Sequence, residues 1–222
     1  EKTGFSSPDG LSYIHTRLPM GHCNSVQWFS RIMSTVLANL PQSIVCCYVD
    51  DLLISASSEE KLLENLDLVL DRLRNANLRL FGAKCHFGVS SVRFLGHIFD
   101  QEGIRPCPKK TNLIKNMARP SNIRELRSQL GLFAYYKRFQ FRFSQITSPL
   151  RELLKTGAPF DWTPECESAW QKLKSNLTEA PVLGLPDFSR PFRLSTDASY
   201  TGLAYILSQK DDQGRDRPVN YG

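Results

Sequence analysis

The stretch Ile44-Val45-Cys46-Cys47-Tyr48-Val49-Asp50-Asp51-Leu52-Leu53-Ile54 decides the reading of this chain. Adjacent carboxylates inside an apolar run are costly, on the order of several kcal/mol each if buried dry and unpaired. The run escapes that cost by exposing the pair at a hairpin tip or by binding a cation there. Its flanks are β-branched and aromatic, which reads as strand on both sides. Either Val49-Asp50 or Asp50-Asp51 then makes the turn. Two strand-end carboxylates can hold Mg²⁺, a hard ion that takes oxygen ligands and leaves room for substrate phosphates. That is the layout of a two-metal phosphoryl-transfer site. An isolated Asp-Asp is more often a plain polar turn, so its surroundings decide.

Upstream, Pro8-Asp9-Gly10 and Leu18-Pro19-Met20-Gly21 are turns. Asn24 or Ser25 caps a helix whose apolar residues Val26, Phe29, Ile32, Met33, Val36, Leu37 and Leu40 recur at helical spacing, and Pro41 ends it. Downstream, Ser57-x-x-Glu60 is a capping box opening a second amphipathic helix through Leu73. Short strands follow around 79 to 100, broken by Gly82, Gly88 and Gly96. This order predicts an α+β fold, an antiparallel sheet with helices on one face.

Pro106 and Pro108 mark a boundary. Helices are expected near 109 to 118, from Asn122 to about Phe139 with Asn122-x-x-Glu125 as the cap, and over 147 to 155. Gly157-Ala158-Pro159 breaks the chain, and Thr163-Pro164 opens another helix with Pro in its first turn. Phe192 to Asp197 reads as a strand ending in an acid, and Leu203 to Leu207 as the next, after a turn at Gly202. No internal repeat is visible.

At 222 residues the chain can build real cores. No apolar run approaches the roughly 20 residues that span a bilayer, and with no hydrophobic h-region after Glu1 no secretory leader is expected. The chain opens on Glu1 without an initiator Met, as an excerpt of something longer would. None of the six cysteines forms a C-x-x-C pair, which argues against zinc and a disulfide framework and for buried free thiols in a reducing compartment. Net charge is +6, but residues 105 to 155 hold twelve Lys or Arg against two acids, interleaved with Phe133, Tyr135, Tyr136, Phe139, Phe141 and Phe143. Such a block is either a nucleic-acid surface or a solvated helix face over an aromatic stripe.

Several segments together resemble the reverse transcriptases of long-terminal-repeat retroelements, especially gypsy-like retrotransposons and their retroviral relatives. Tyr48-Val49-Asp50-Asp51 is similar to the catalytic turn of that family. Leu18-Pro19-Met20-Gly21 resembles its loop beside the templating base and incoming nucleotide. Phe94-Leu95-Gly96-His97 resembles the strand pair that grips the primer end, and Lys84-Cys85-x-Phe87 precedes it as in gypsy-like members. Leu130 to Phe139 resembles its thumb helix, Phe160 to Cys166 its connection, and Thr196-Asp197-Ala198-Ser199 the first strand of its ribonuclease H. The matches run through essentially the whole chain in the family's own order. Departures are Val26 and Gln27 after the glycine loop, Met20 where Gln or Phe is usual, and Tyr205 where a small residue is usual.

The resemblance implies a partial polymerase palm over 1–104, a helical thumb over 105–156, a connection over 157–190 and an incomplete ribonuclease H-like start over 191–222. It implies primer extension with deoxynucleotide triphosphates on an RNA or DNA template, with two Mg²⁺ ions. Asp50 and Asp51 would be catalytic metal ligands, with a third carboxylate expected upstream, and Asp197 the metal ligand of the nuclease, or here an orphan acid at a strand end. Leu18, Pro19, Met20, Gly21, Tyr48 and Val49 would line the nucleotide and template, although Tyr48 can equally pack against the helix at 58 to 74. Phe94, Leu95, Gly96 and His97 would hold the primer, with His97 equally a satisfied surface histidine. Arg124, Arg127, Lys137 and Arg138 would meet duplex phosphates. No membrane partner is expected, and the compartment implied is intracellular, a cytoplasmic retroelement particle with a nuclear phase. The alternative is a non-catalytic nucleic-acid-binding remnant.

Overall fold

The carboxylate run folds as a two-stranded ribbon in the computed structural model, which describes residues 4–199 and 202–222. β3 (Val45–Tyr48) and β4 (Asp51–Ile54) pair antiparallel with Tyr48 opposite Asp51. Of the two turns the sequence allows, Val49-Asp50 is therefore the one formed. Alternation puts Val45 and Cys47 on the inner face with their partners Ile54 and Leu52. That face packs on Met33 and Leu37 of the α1 region and on Val69 and Leu73 of α2. α1 spans Ser25–Val36 and α2 spans Glu59–Asn75.

The caps differ in detail from the sequence reading. Ser58, not Ser57, caps α2, its hydroxyl accepting the Lys61 N–H at 3.2 Å. Glu59 and Glu60 sit in the first turn, where the helix dipole favours them. Asn24 precedes α1 without a side-chain cap, and Ser25 instead donates to the Pro19 carbonyl at 2.6 Å, fastening the Leu18–Gly21 loop to the helix.

The chain divides after Gly88. The first unit also holds the ribbon β1 (Gly4–Ser6) with β2 (Ser12–Ile14). Antiparallel pairing is as expected, but it is spread over small sheets: strands of three or four residues pair only with their sequence neighbours.

The second unit, Val89–Gly222, opens with a meander of β5 (Ser91–Phe94), β6 (His97–Asp100) and β7 (Gly103–Pro106). Strand β7 was not legible in the sequence. It is held from outside by Leu183, whose backbone exchanges bonds with Ile104 at 2.8 and 2.9 Å. Gly103, at φ +132, allows this approach, since a Cβ there would lie 2.0 Å from the Leu183 oxygen.

Helices α3 (Pro108–Lys115), α4 (Ile123–Tyr135), α5 (Phe143–Glu152) and α6 (Pro164–Thr178) follow. The helix expected to run to Phe139 stops at Tyr135 and tightens into a 3₁₀ turn at Lys137–Phe139. Helix α5 starts four residues before its predicted position, because Arg142 takes a left-handed φ of 57° and restarts the helix. α6 packs against α3 and α5. Trp170 Nε1–H donates to Gln129 at 2.9 Å and Lys174 to the Met117 carbonyl at 2.9 Å. The core between these helices centres on Leu126, Phe133, Leu150, Leu173 and Leu177.

β8 (Arg193–Ser199), β9 (Gly202–Lys210) and β10 (Asp216–Tyr221) form an antiparallel sheet in the order β10-β9-β8. All six cysteines are free thiols, but only Cys107 and Cys166 are buried. The expectation of buried thiols fails for Cys23 and Cys46, which are exposed, Cys46 because the helices cover only the other face of the β3-β4 ribbon. Among the described residues no helix is long and apolar enough to cross a membrane.

Candidate active site

Asp50 and Asp51 are both exposed, Asp50 in the turn and Asp51 at the first position of β4. Neither forms an ion pair or a side-chain hydrogen bond among the described residues. Exposure removes the burial cost, and the absence of a counter-ion leaves both carboxylates available to a cation. Val49 adopts φ 57°, a conformation that a β-branched residue rarely takes and that costs on the order of 1–3 kcal/mol. The thiol of Cys47 points at the Val49 carbonyl at 3.6 Å. Burial raises that thiol above its ordinary range, with smaller contributions from Cys46 and Asp50. Tyr48 is 57% exposed on the open face of the ribbon, so the alternative in which it packs against α2 is not what forms. The reason is register: Tyr48 lies opposite Asp51, on the face away from the core.

The donor chemistry at the tip fits Mg²⁺ bound by one or two carboxylates together with phosphate oxygens. Among the described residues no group of three or more His, Cys, Asp or Glu is arranged to hold a metal by itself.

The Leu18–Gly21 loop lies on the surface of the first unit, with Leu18 and Met20 exposed. Gly21 has φ +80, and nothing lies within 4 Å of where its Cβ would be.

In the second unit the turn between β5 and β6 is Leu95-Gly96, with φ 48° and 69°. Two consecutive positive φ values are the mark of a type I′ hairpin turn, whose twist suits paired strands. Phe94 is buried. His97 is not a surface histidine: it is 9% exposed, with its ring among Tyr135, Tyr136, Phe99 and Phe139. Its Nδ1 contacts the Leu95 carbonyl at 2.7 Å, and Nε2 is buried without a partner. Burial lowers its pKa from the ordinary value, outweighing the Leu95 bond, and Arg138 lowers it further.

Arg124, Arg127 and Lys137 are exposed and form no ion pair among the described residues. Arg138 differs from them. It is partly withdrawn from solvent, its Nε is buried without a partner, and burial lowers its pKa.

Asp197 is neither orphaned nor at a strand end. It lies in the middle of β8, and Arg142 donates to its carboxylate at 2.7 Å. Gln145, one turn further on, donates to Ser199 at 3.0 Å. Sequence reasoning missed Arg142 as its partner because 55 residues separate the two.

These parts, an exposed carboxylate ribbon on two helices followed by a helical bundle and a three-stranded sheet, are those of a reverse transcriptase segment joined to an RNase H-like one. Residues 4–99 match the family described as reverse transcriptase (RNA-dependent DNA polymerase), and residues 162–222 match the RNase H-like domain found in reverse transcriptase. The chain thus carries a reverse transcriptase segment and an RNase H-like segment of the kind found in retroelement polyproteins. It is 36% identical over 220 residues to the Transposon Tf2-3 and Tf2-7 polyproteins of Schizosaccharomyces pombe (strain 972 / ATCC 24843), covering 99% of this chain and 16% of each relative. It therefore spans under a fifth of their length. Among solved structures it is similar to the foamy viral protease-reverse transcriptase in complex with dsDNA. That match has TM-score 0.82 and 28% identity, over 99% of this chain and 45% of the other. The same enzyme with RNA/DNA hybrid gives TM-score 0.78 and 28% identity, over 99% and 30%.

Proposed function

We propose that this chain carries the Asp50–Asp51 metal site of a polymerase that extends a primer with deoxynucleotides on an RNA or DNA template. The observation that carries this reading is an exposed carboxylate pair without counter-ions, at a strained hairpin tip, inside the segment that matches the reverse transcriptase family. Bound Mg²⁺ would supply charge neutralisation on the reacting phosphates and activation of the primer hydroxyl. The chain supplies position. Asp50 offers the first oxygen donor and Asp51 the second, since neighbours on a tight turn cannot aim alike. The strained Val49 backbone fixes the tip between two paired strands. The open backbone at Gly21 leaves space for a nucleotide to approach.

The Leu95-Gly96 turn suits the primer strand. Its two backbone N–H groups have no acceptor among the described residues, and such donors match phosphate oxygens. Arg124, Arg127 and Lys137 provide unpaired cations for duplex phosphates, and Arg138 contributes the part of its guanidinium that is not buried. The foamy viral neighbours, solved with dsDNA and with RNA/DNA hybrid, support primer–template as the partner. The reading assigns 1–104 to the palm, 105–156 to the thumb, 157–190 to the connection and 191–222 to the nuclease-like start. Asp197 fits a metal less well. It is already paired with Arg142 and has no acidic cluster around it among the described residues, so it is given no nuclease step.

Primer extension on an RNA template with Mg²⁺ tests the proposal, comparing the enzyme that contains this chain with its Asp50→Asn variant. The variant should lose activity by on the order of 10²–10³-fold or more, as when a transition-state electrostatic partner is removed. Extension that persists unchanged in the variant removes Asp50 from the site. Salt-sensitive duplex binding with no extension by either protein favours the non-catalytic remnant.

A further inference from the structure

Both carbonyls of the Leu95-Gly96 turn are filled by donors from elsewhere in the chain. The Leu95 oxygen accepts the Tyr135 hydroxyl at 2.6 Å and contacts His97 Nδ1 at 2.7 Å. The Gly96 oxygen accepts the Tyr136 hydroxyl at 3.0 Å and the Cys107 N–H at 2.9 Å. A carbonyl has two lone pairs, so each is saturated. What the turn has left to offer a ligand is its N–H groups, which have no acceptor among the described residues.

Two consecutive residues of a helix do not normally reach one target, because they project about 100° apart. They do so here because α4 ends between them. Tyr135 is the last helical residue and Tyr136 leaves the helix at φ −101°, ψ 17°. Their rings meet edge to face, 4.9 Å apart at 87°. The fit to the turn is close: a Cβ on Gly96 would lie 2.9 Å from the Tyr136 hydroxyl oxygen. Tyr136 is 1% exposed and belongs to the core, whereas Tyr135 is 53% exposed. The Tyr135 ring therefore adds little burial, yet its hydroxyl makes the shorter of the two tyrosine bonds.

We infer that Tyr135 and Tyr136 are positioning residues for the primer strand. They act through the turn, locking its carbonyls inward so that the Leu95 and Gly96 N–H groups are held ready for a primer phosphate. This rests on the reading of the turn as a primer contact. It ties the direction of those donors to the end of α4, so that a movement of that helix end is transmitted to the primer by two hydrogen bonds.

The test is made in the enzyme that contains this chain, with Tyr135→Phe and Tyr135→Phe/Tyr136→Phe, which remove hydroxyls and leave rings. Two signals are read on one primer–template carrying 2-aminopurine at the primer 3′ terminus. Anisotropy reports duplex affinity, and 2-aminopurine fluorescence reports seating of the terminus. Affinity should change by less than about threefold, because it is set mainly by phosphate contacts along the duplex. The seating signal should fall by about half or more, since small misplacements at such sites have large effects. Thermal unfolding checks the fold. If the double variant unfolds, Tyr135→Phe alone decides, its ring being half exposed. An unchanged seating signal in Tyr135→Phe overturns the inference. A wild-type protein that binds duplex but shows no seating signal overturns the primer-contact reading, and the inference with it.

Discussion

Arg142 Nη2 lies 2.7 Å from Asp197 Oδ2, joining the residue that caps α5 to the middle of β8. Both side chains are about half exposed, so the pair should couple by only about 0.2–1 kcal/mol in a double-mutant cycle of unfolding free energies. Arg142 also holds a left-handed φ, which costs a side chain roughly 1 kcal/mol that glycine avoids. Arg142→Gly should therefore be less destabilising than Arg142→Ala, although both break the ion pair. Equal losses would show that the ion pair, not the backbone, sets the contribution of this residue.

Val49 stores strain at the carboxylate turn. Val49→Gly should raise unfolding stability by about 1 kcal/mol, because glycine accepts φ 57° without a Cβ clash. It should at the same time lower activity, since the tip that holds Asp50 loses its single backbone conformation. Denaturant titration and primer extension on the same variant separate the two effects. A variant that is no more stable than wild type would show that the surrounding structure already relieves the strain.

The aromatic cluster at the β5-β6 turn should limit stability at both ends of the pH scale. His97 has its folded pKa lowered by burial, so the unfolded chain takes up a proton first as pH falls below about 6.5. Its contribution is complete above that pH and is lost on acidification toward the lower folded value. Tyr136 is raised from 10.0 to about 12, mainly by burial. Its contribution is complete below pH 10 and is lost as pH rises from there to about 12, because only the unfolded chain deprotonates in that window. Urea midpoints measured against pH should fall in both windows, with the acid fall flattened in His97→Gln and the alkaline one in Tyr136→Phe.

If Arg124, Arg127 and Lys137 meet phosphates, replacing all three by Ala should reduce the slope of log K against log salt by up to ~2.7, at ~0.9 for each contact to duplex DNA. Affinity should drop without a change in sequence preference. A slope unaltered by the triple substitution would mean that these side chains point into solvent in the complex.

Much of this was legible in the chain because it depends on residues a few positions apart. The Asp50–Asp51 hairpin follows from strand-forming flanks on both sides of an acid pair within eleven residues, and the cap of α4 from Asn122 accepting the Glu125 N–H at 2.9 Å. The Pro164 start of α6 is equally local, with the Thr163 hydroxyl accepting the Cys166 N–H. Misreadings arose where two local signals competed. Ser57 and Ser58 both suit a cap, and Ser58 is the one that accepts the Lys61 N–H. The break at Tyr135–Tyr136 has no breaker residue, so nothing in the local sequence marks the helix end from which both hydroxyls meet a strand turn 40 residues away.

Periodicity, caps and the Asp-Asp pair thus suffice for the α+β class, for most of the helices and for the candidate acids, since each is a property of neighbouring residues. Long-range pairing is of another kind. The bridge between Ile104 and Leu183, the ion pair of Arg142 with Asp197 and the two tyrosine hydroxyls on the Leu95-Gly96 turn each join residues 40 to 79 positions apart. Nothing within a short window distinguishes those residues from ordinary surface or core side chains. Only when the helices pack do the donors and acceptors come within 3 Å, and burial makes the Ile104–Leu183 bridge and the Tyr136 bond costly to leave unmade, whereas the Arg142–Asp197 pair and the Tyr135 hydroxyl stay exposed.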